Sequence, residues 1–514
     1  MSESMLVRGR WIVTGGAEAD PVLNDAAVRV ENGSVVEIGD WATLRGRHPD
    51  ATSLGSERFA VMPGMVNAHH HSNGVSAIQQ GVRDRLLESW LLSLTLGRGL
   101  TPRLSTLLSA ARLLRTGVTS VVDVHSDRGT AEVYAANARE ALAAYDAAGI
   151  RVAFAAGLMT QCFLVSGAGE DEDEKFLAGL PDEDLRGFAA RRLPSPDNLG
   201  EDDYFGIVDD LWRRHRGHDR IDVWYAPPGP QWVSDSFMQR IAEQAEARDT
   251  GVQTHVSESL YEMLHGPLYY EKPTVRHLFD LGVLGPRFSI AHGVWLTERE
   301  IELMADTGAA VSHNPSSNLR LRAGIAPLNA MLASGVTVGL GMDGTTINDD
   351  EDYFDEMRLA MRLHRTPRFD GPAPEPAQVL QMATAGGARL MRKEGMLGAI
   401  APGGAADLVL VDLDRVTWPW VAPEADPREL LLMRARAGDV DTVMVGGEIV
   451  LRGGQPTRFN LDEIAGEAAA MLGGQPFRSD DARMIERLRP HIEAYYRKWD
   501  VPDLVPYTVY NARG

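Results

Sequence analysis

Cysteine is nearly missing from this chain of 514 residues. Cys162 stands alone, so an intramolecular disulfide and a thiolate zinc cluster are both excluded. The zinc deaminases that act on nucleic-acid bases through a Pro-Cys-x-x-Cys motif are excluded with them. Positive charge is also short, with 51 Lys and Arg against 72 Asp and Glu and a formal net charge of -21. Such a balance repels phosphate backbones and anionic membranes and suits a small neutral or cationic substrate. No apolar run approaches the roughly twenty residues that span a bilayer, and Met1 to Gly15 carries charged residues where a signal peptide has an apolar core. These absences predict a soluble cytoplasmic protein with a small-molecule substrate and neither nucleic acid nor membrane as a partner.

What remains is ordinary globular composition, 44% hydrophobic and 24% charged, in a chain long enough for a large core. Segments near Met5 to Thr14 and Ala26 to Ile38 alternate apolar and polar positions, with the turn dipeptide Asn32-Gly33 between two short runs. A similar pattern returns at Ala406 to Asp412 and Val440 to Val450. One small β-sandwich domain built from both chain ends is therefore expected, residues 1–62 and 402–455. Between them, residues 63–401 alternate strands and helices, the mark of a parallel sheet or barrel. Eight strands are predicted: the run through His71, then Val118–Val124, Arg151–Ala156, Ile221–Ala226, Gly251–His255, Phe288–His292, Ala309–His313 and Val336–Asp343. Several end at a histidine or aspartate, and catalytic residues collect at the carboxyl ends of barrel strands, so the fold class is α/β, a (β/α)8 TIM-like barrel. An acidic insertion at about 167–203, opening with Glu170 to Glu174, reads first as a solvated loop, with a lid over the site as the alternative. Residues 456–514 read as a helical extension, with helices at Asn460–Leu472 and Asp480–Lys498.

The strand that ends in Pro63-Gly64-Met65-Val66-Asn67-Ala68-His69-His70-His71 gives His69 and His71 one face and His70 the other. With His255 ending the fifth strand and Asp343 the eighth, three nitrogens and one oxygen suit one zinc or iron ion with a place for water. Glu258 lies three residues beyond His255, placed for proton transfer. His292 ends the sixth strand and faces the same mouth.

In their order these residues resemble the amidohydrolase superfamily, in its branch of cytosine-deaminase-like aminohydrolases. The matching stretches are the one through His71, His255-Val256-Ser257-Glu258, Ala291-His292-Gly293, Ser312-His313-Asn314-Pro315-Ser316-Ser317-Asn318-Leu319, Gly341-Met342-Asp343-Gly344 and, at the return to the β domain, Gly403 to Val409. The resemblance implies one divalent metal ion per chain, zinc first and iron or manganese as alternatives, held by His69, His71, His255 and Asp343. It further implies Glu258 as proton shuttle, His292 at the water or substrate, and Asp343 as acceptor of the water's proton. Binuclear members carry a carbamylated lysine at the end of strand four. This chain's only lysines are Lys175, Lys272, Lys393 and Lys498, none of them there. The implied reaction is hydrolytic deamination of an aminated purine, pteridine or triazine by attack of metal-bound hydroxide; hydrolysis of a substituted amine, amide or urea is the alternative, and a silent scaffold the last. A homo-oligomer, dimer or tetramer, is expected by the same likeness.

Substrate contacts are sought at Gln80 and Arg83 in the loop after strand one, at Gln231 and Trp232 after strand four, and at His313 and Asn318. Pro228 stands where nucleoside deaminases of the branch carry a histidine after Ala-Pro, which argues against an adenosine-type substrate. Trp90, Leu91 and His125 read as packing residues.

Overall fold

The protein is described by a computed structural model over residues 4–15, 21–127, 129–167, 171–195, 197–344 and 346–509. Glu170 of the acidic run and the last five residues of the tail lie outside the described residues. The first strands are β1 (Ser4–Val13), β2 (Val22–Glu31), β3 (Ser34–Asp40) and β4 (Thr52–Pro63). Asn32 and Gly33 both take positive φ, 51° and 78°, as a two-residue hairpin turn requires, and Glu31 pairs with Ser34 across it. Eight strands follow: β5 (Met65–His70), β6 (Val118–Ser126), β7 (Arg151–Gly157), β8 (Ile221–Tyr225), β9 (Val252–Val256), β10 (Phe288–His292), β11 (Ala310–His313) and β12 (Thr337–Leu340). The chain returns to the first sheet with β13 (Leu408–Asp412), β14 (Val440–Val445), β15 (Glu448–Arg452) and β16 (Gln455–Pro456).

Strands β5 to β12 form one parallel sheet in chain order, with helices between them. Their near-continuous apolar sequence follows from burial on both faces. The sheet closes on itself where β12 meets β5. His70 and Asp343 form a parallel bridge, the Asp343 N–H donates to the His69 carbonyl at 2.9 Å, and the Met342 N–H donates to Asn67 Oδ1 at 3.0 Å. Lower in the seam the buried Tyr353 hydroxyl lies 2.6 and 2.7 Å from the carbonyls of Val66 and Leu340. A Cβ on Gly339 would sit 2.7 Å from that of Ala68, so only glycine lets the last strand approach the first this closely. These bonds set Asp343 beside the histidines of β5.

Both chain ends meet in one mixed sheet of order β16-β15-β14-β13-β4-β1-β2-β3. It is riveted to the barrel by Arg151, whose guanidinium donates twice to the Asp407 carboxylate at 2.8 and 2.9 Å. Asp407 also accepts the Gly446 N–H at 2.7 Å, and its carbonyl accepts from Gly64 at 2.9 Å.

The acidic insertion departs from the solvated loop expected of it. Helices Glu172–Ala178 and Glu183–Ala190 bury Phe176, Leu185 and Phe188 against Ile485, Leu488, Ile492 and Tyr496 of the helix Ser479–Tyr496, and Asp173 turns inward with them, its carboxylate accepting the Phe163 and Leu164 N–H groups at 2.6 and 2.8 Å. The Arg487 guanidinium meets Asp182 at 2.8 Å across this joint, and the Ser166 N–H donates to the Tyr496 hydroxyl at 2.8 Å. Apolar residues three and four apart inside the acidic run make the segment amphipathic, and that spacing outweighs the charge count.

The Arg151 and Asp407 side chains are only 8% and 4% exposed. Asp407→Ala strands a buried guanidinium, so it should cost about 3–5 kcal/mol, read as a lowered denaturation midpoint with the metal content of the surviving folded protein unchanged.

Candidate functional site

At the carboxyl ends of β5, β9, β10 and β12 four imidazoles meet one carboxylate. Each ring is aimed by a hydrogen bond at its outer nitrogen. His69 Nδ1–H donates to Gln253 Oε1 at 2.8 Å, and the Gln253 amide is fixed in that sense because its Nε2 donates to the Ala68 carbonyl at 2.9 Å. His71 Nδ1–H donates to the Val124 carbonyl at 3.1 Å, His255 Nδ1–H to the Pro228 carbonyl at 2.6 Å, and His292 Nδ1–H to Asn318 Oδ1 at 2.8 Å. Oxygen acceptors on the outside leave each neutral ring a lone pair on Nε2, pointing in.

The inner atoms crowd one point. His71 Nε2 and His255 Nε2 are 3.4 Å apart. Asp343 Oδ1 lies 3.6 Å from His69 Nε2 and 3.4 Å from His71 Nε2. The Nε2 atoms of His69 and His292 are buried without a hydrogen-bond partner among the described residues. Lone pairs facing lone pairs with no proton between them are reconciled by a cation, and three imidazoles with a carboxylate form a donor set for a divalent metal. Charge states agree. Burial holds the His71 and His255 rings below their ordinary pKa despite Asp343, and pushes His292 down to about 4. Burial opposes ionisation of Asp343, yet the imidazoles of His69, His71 and His292 set around it hold it well below the usual carboxylate range.

The backbone is strained around this point. Ser257, His292 and Asp343 take φ of 52°, 76° and 54°, a conformation that costs non-glycine residues of order 1–3 kcal/mol each. Asp343 is kept there by the Gly344 N–H and the Ser317 hydroxyl on its carboxylate, and by His70, whose Nδ1–H donates to its carbonyl at 2.8 Å. His70, on the opposite face of β5 from the pair, thus steadies the carboxylate through its peptide.

Glu258 is buried beside the cluster, its Oε2 3.5 Å from His292 Nε2. Burial and the nearby Glu262, Asp343 and Glu88 carboxylates push its carboxyl well above the usual range. Its N–H donates to Glu262 Oε2 at 2.8 Å, and Gln231 Nε2 donates to Glu262 Oε1 at 2.8 Å. Gln231 therefore supports the Glu258 turn rather than facing open space. Over the cluster opens a cavity of about 620 Å³ whose wall includes His71, His255, Glu258, His292 and Asp343.

The remaining expected contacts divide. Gln80 and Trp232 reach the cavity wall, and Gln80 also braces the loop by accepting the Arg98 N–H at 2.6 Å. Arg83 is exposed and off that wall. Asn318 acts through His292. His313 is buried, its Nε2 3.0 Å from His364 Nε2, and does not line the cavity. Trp90, Leu91 and His125, read as packing, stand on the wall. Gln253 and Glu262 escaped the sequence reading; a glutamine inside the apolar strand β9 was the one available sign of the first.

Gln253→Leu removes the acceptor that orients His69. Its zinc affinity should fall by about 10- to 100-fold, measured by competition with a chromophoric chelator; unchanged affinity would mean that the ring needs no such anchor.

Residues 60–450 match the amidohydrolase family, and residues 26–51 match a bacterial imidazolonepropionase-like composite domain. The 5-methylthioadenosine/S-adenosylhomocysteine deaminase of Nitratidesulfovibrio vulgaris (strain DSM 19637 / Miyazaki F) is 33% identical over 467 residues, covering 90% of this chain and 95% of its own. The 5'-deoxyadenosine deaminase of Methanosarcina mazei is 29% identical, covering 87% of this chain and 93% of its own. A zinc-bound adenosine deaminase from Xanthomonas campestris superposes with a TM-score of 0.76 at 27% identity, over 91% of this chain and 97% of the other. Likeness of this extent takes in the barrel, the return sheet and the strand ends together: the chain belongs to the amidohydrolase family.

Proposed function

We propose that the protein is a hydrolytic deaminase that releases ammonia from an aminated purine-type heterocycle, with a zinc ion held by His69, His71, His255 and Asp343. The observation that carries this reading is the buried Glu258 carboxyl standing 3.5 Å from the His292 ring, beside His69, His71, His255 and Asp343. A divalent ion bound there supplies Lewis acidity, lowering the pKa of a water from about 16 to about 7.

The chain's own groups do the rest. Asp343 takes the proton that the attacking water gives up as its oxygen bonds to the amine-bearing carbon. Glu258, kept protonated by its buried, acid-rich surroundings, donates to the adjacent ring nitrogen. The proton held by Asp343 then passes to the amine as the C–N bond breaks, and the added hydroxyl's remaining proton returns to Glu258, so water and amine become carbonyl and ammonia with both carboxyl groups restored. His292, neutral and anchored by Asn318, stabilises charge on the attacked centre through Nε2.

Relatives named as deaminases of adenosine-type compounds, aligned over about nine-tenths of the chain, support an aminopurine as the ring. Pro228 separates this chain from nucleoside deaminases at one contact. Its carbonyl instead orients His255, and Trp232 and His125 on the wall face the cavity that the ring would enter. Cytoplasmic residence and a homo-oligomeric state belong to the same proposal, on likeness to the family.

Glu258→Gln should keep its metal while ammonia release falls by at least about 100-fold, the usual worth of a positioned proton donor. The readouts are metal content and an ammonia assay on a panel of amino-purines, pteridines and triazines. Loss of metal in the variant would make Glu258 a ligand. Silence of the metal-loaded parent across the panel would turn the reading to a substituted amine, amide or urea.

A further inference from the structure

Part of the wall of the cavity over the metal residues comes from outside the strand ends. Ala77, Gln80 and Val82 belong to the stretch that follows β5, and Leu87, Trp90 and Leu91 to the helix Leu87–Leu94 after it. This stretch is held down by one turn of chain, the short helix Pro315–Arg320 that follows β11. The same helix steadies the site itself, since the Ser317 hydroxyl donates to Asp343 and Asn318 accepts from His292. Leu321, one residue past its end, packs with Val82, Leu87 and Trp90.

Between these contacts stands Arg320. Its Nε and Nη2 donate to the two carboxylate oxygens of Asp84 at 2.9 Å each, and its Nη1 donates to Asp349 Oδ1 at 2.9 Å. Nη1 also reaches the Thr346 carbonyl, and the other oxygen of Asp349 takes the Ser76 hydroxyl. Asp84 and Ser76 lie after β5, Asp349 and Thr346 after β12. Three loops of the mouth therefore meet on one guanidinium.

An ion pair on an open surface would be worth little. The Arg320 side chain, however, is only 8% exposed, so its charge has given up most of its water and depends on both carboxylates. Its planar fork matters as much as its charge, because a lysine ammonium has no bidentate face to offer. Arg320 itself stands off the cavity wall.

We propose that Arg320 is a positioning residue for the substrate: by gripping Asp84 and Asp349 together it holds the stretch after β5 against the helix that steadies Asp343 and His292, and so sets the width of the reaction cavity. The effect on turnover rests on the deaminase reading; the effect on the loop does not.

Asp84→Asn and Arg320→Lys each remove the bidentate contact with little change of side-chain length. In hydrogen–deuterium exchange on the zinc-loaded full chain, peptides covering residues 76–91 should exchange at least about 10-fold faster in both variants, with β5 and β12 as in the parent. That is less than a fully buried pair would give, because the Asp84 side chain is 31% exposed; for the same reason Asp84→Asn reads the effect should Arg320→Lys fail to fold. On the panel compound that the parent turns over, KM should rise by about 10-fold with kcat and metal content unchanged, the pattern of lost ground-state binding. Parent-like exchange over 76–91 in both variants would overturn the proposal. Faster exchange with KM unmoved, or a fall in kcat and metal content at constant KM, would overturn it too, leaving Arg320 a support of the fold or of the metal residues alone. If the parent releases ammonia from none of the panel, the deaminase reading falls, and the exchange rates still decide whether Arg320 holds the loop.

Discussion

Everything in the mouth of this barrel depends on four outward hydrogen bonds. Because His69, His71, His255 and His292 each commit Nδ1–H to an oxygen behind them, their Nε2 lone pairs have one direction left, inward. Two of the acceptors are main-chain carbonyls, so the tautomers are fixed by the path of the backbone as much as by side chains. Without a cation the arrangement sets buried lone pairs against each other and against Asp343. With one it is a ligand set, and the buried, strained strand ends are the means of holding it.

The barrel's closure and its chemistry are the same contact. The last strand reaches the first through the His70–Asp343 bridge and the glycine that permits close approach, and this seam carries both the histidine pair and the carboxylate. A loosening of the seam would move Asp343 away from His69 and His71 together. The Arg151–Asp407 rivet works at a distance from the mouth, tying the return of the chain to the barrel so that one sheet is finished with strands from both termini.

Much of this was legible in the sequence, for a physical reason. Strands buried on both faces read as apolar runs, and a polar residue at the end of such a run has nowhere to be except the mouth; hence His69, His71, His255, His292 and Asp343 announced themselves. Asn32-Gly33 likewise declared its hairpin through a turn that demands positive φ twice. What stayed hidden lacked a local signature. Gln253 and Glu262 act on neighbours that the fold brings to them, His70 acts through a peptide group, and Trp90 belongs at once to a helix and to the cavity wall. The insertion was misread because its acids dominate the composition while its apolar spacing, which meets a helix some three hundred residues later, decides its structure. Arg83 shows the converse: polar and in the right loop, it points to solvent.

The account stands most directly on one metal bound by inward-facing imidazoles. Metal analysis and X-ray absorption on the purified chain, with His255→Ala beside it, would decide the matter. The account predicts one divalent ion per chain in a shell dominated by imidazole nitrogen with carboxylate oxygen, and its loss from the variant. Two ions per chain, or a variant that keeps its ion with an unaltered shell, would contradict it.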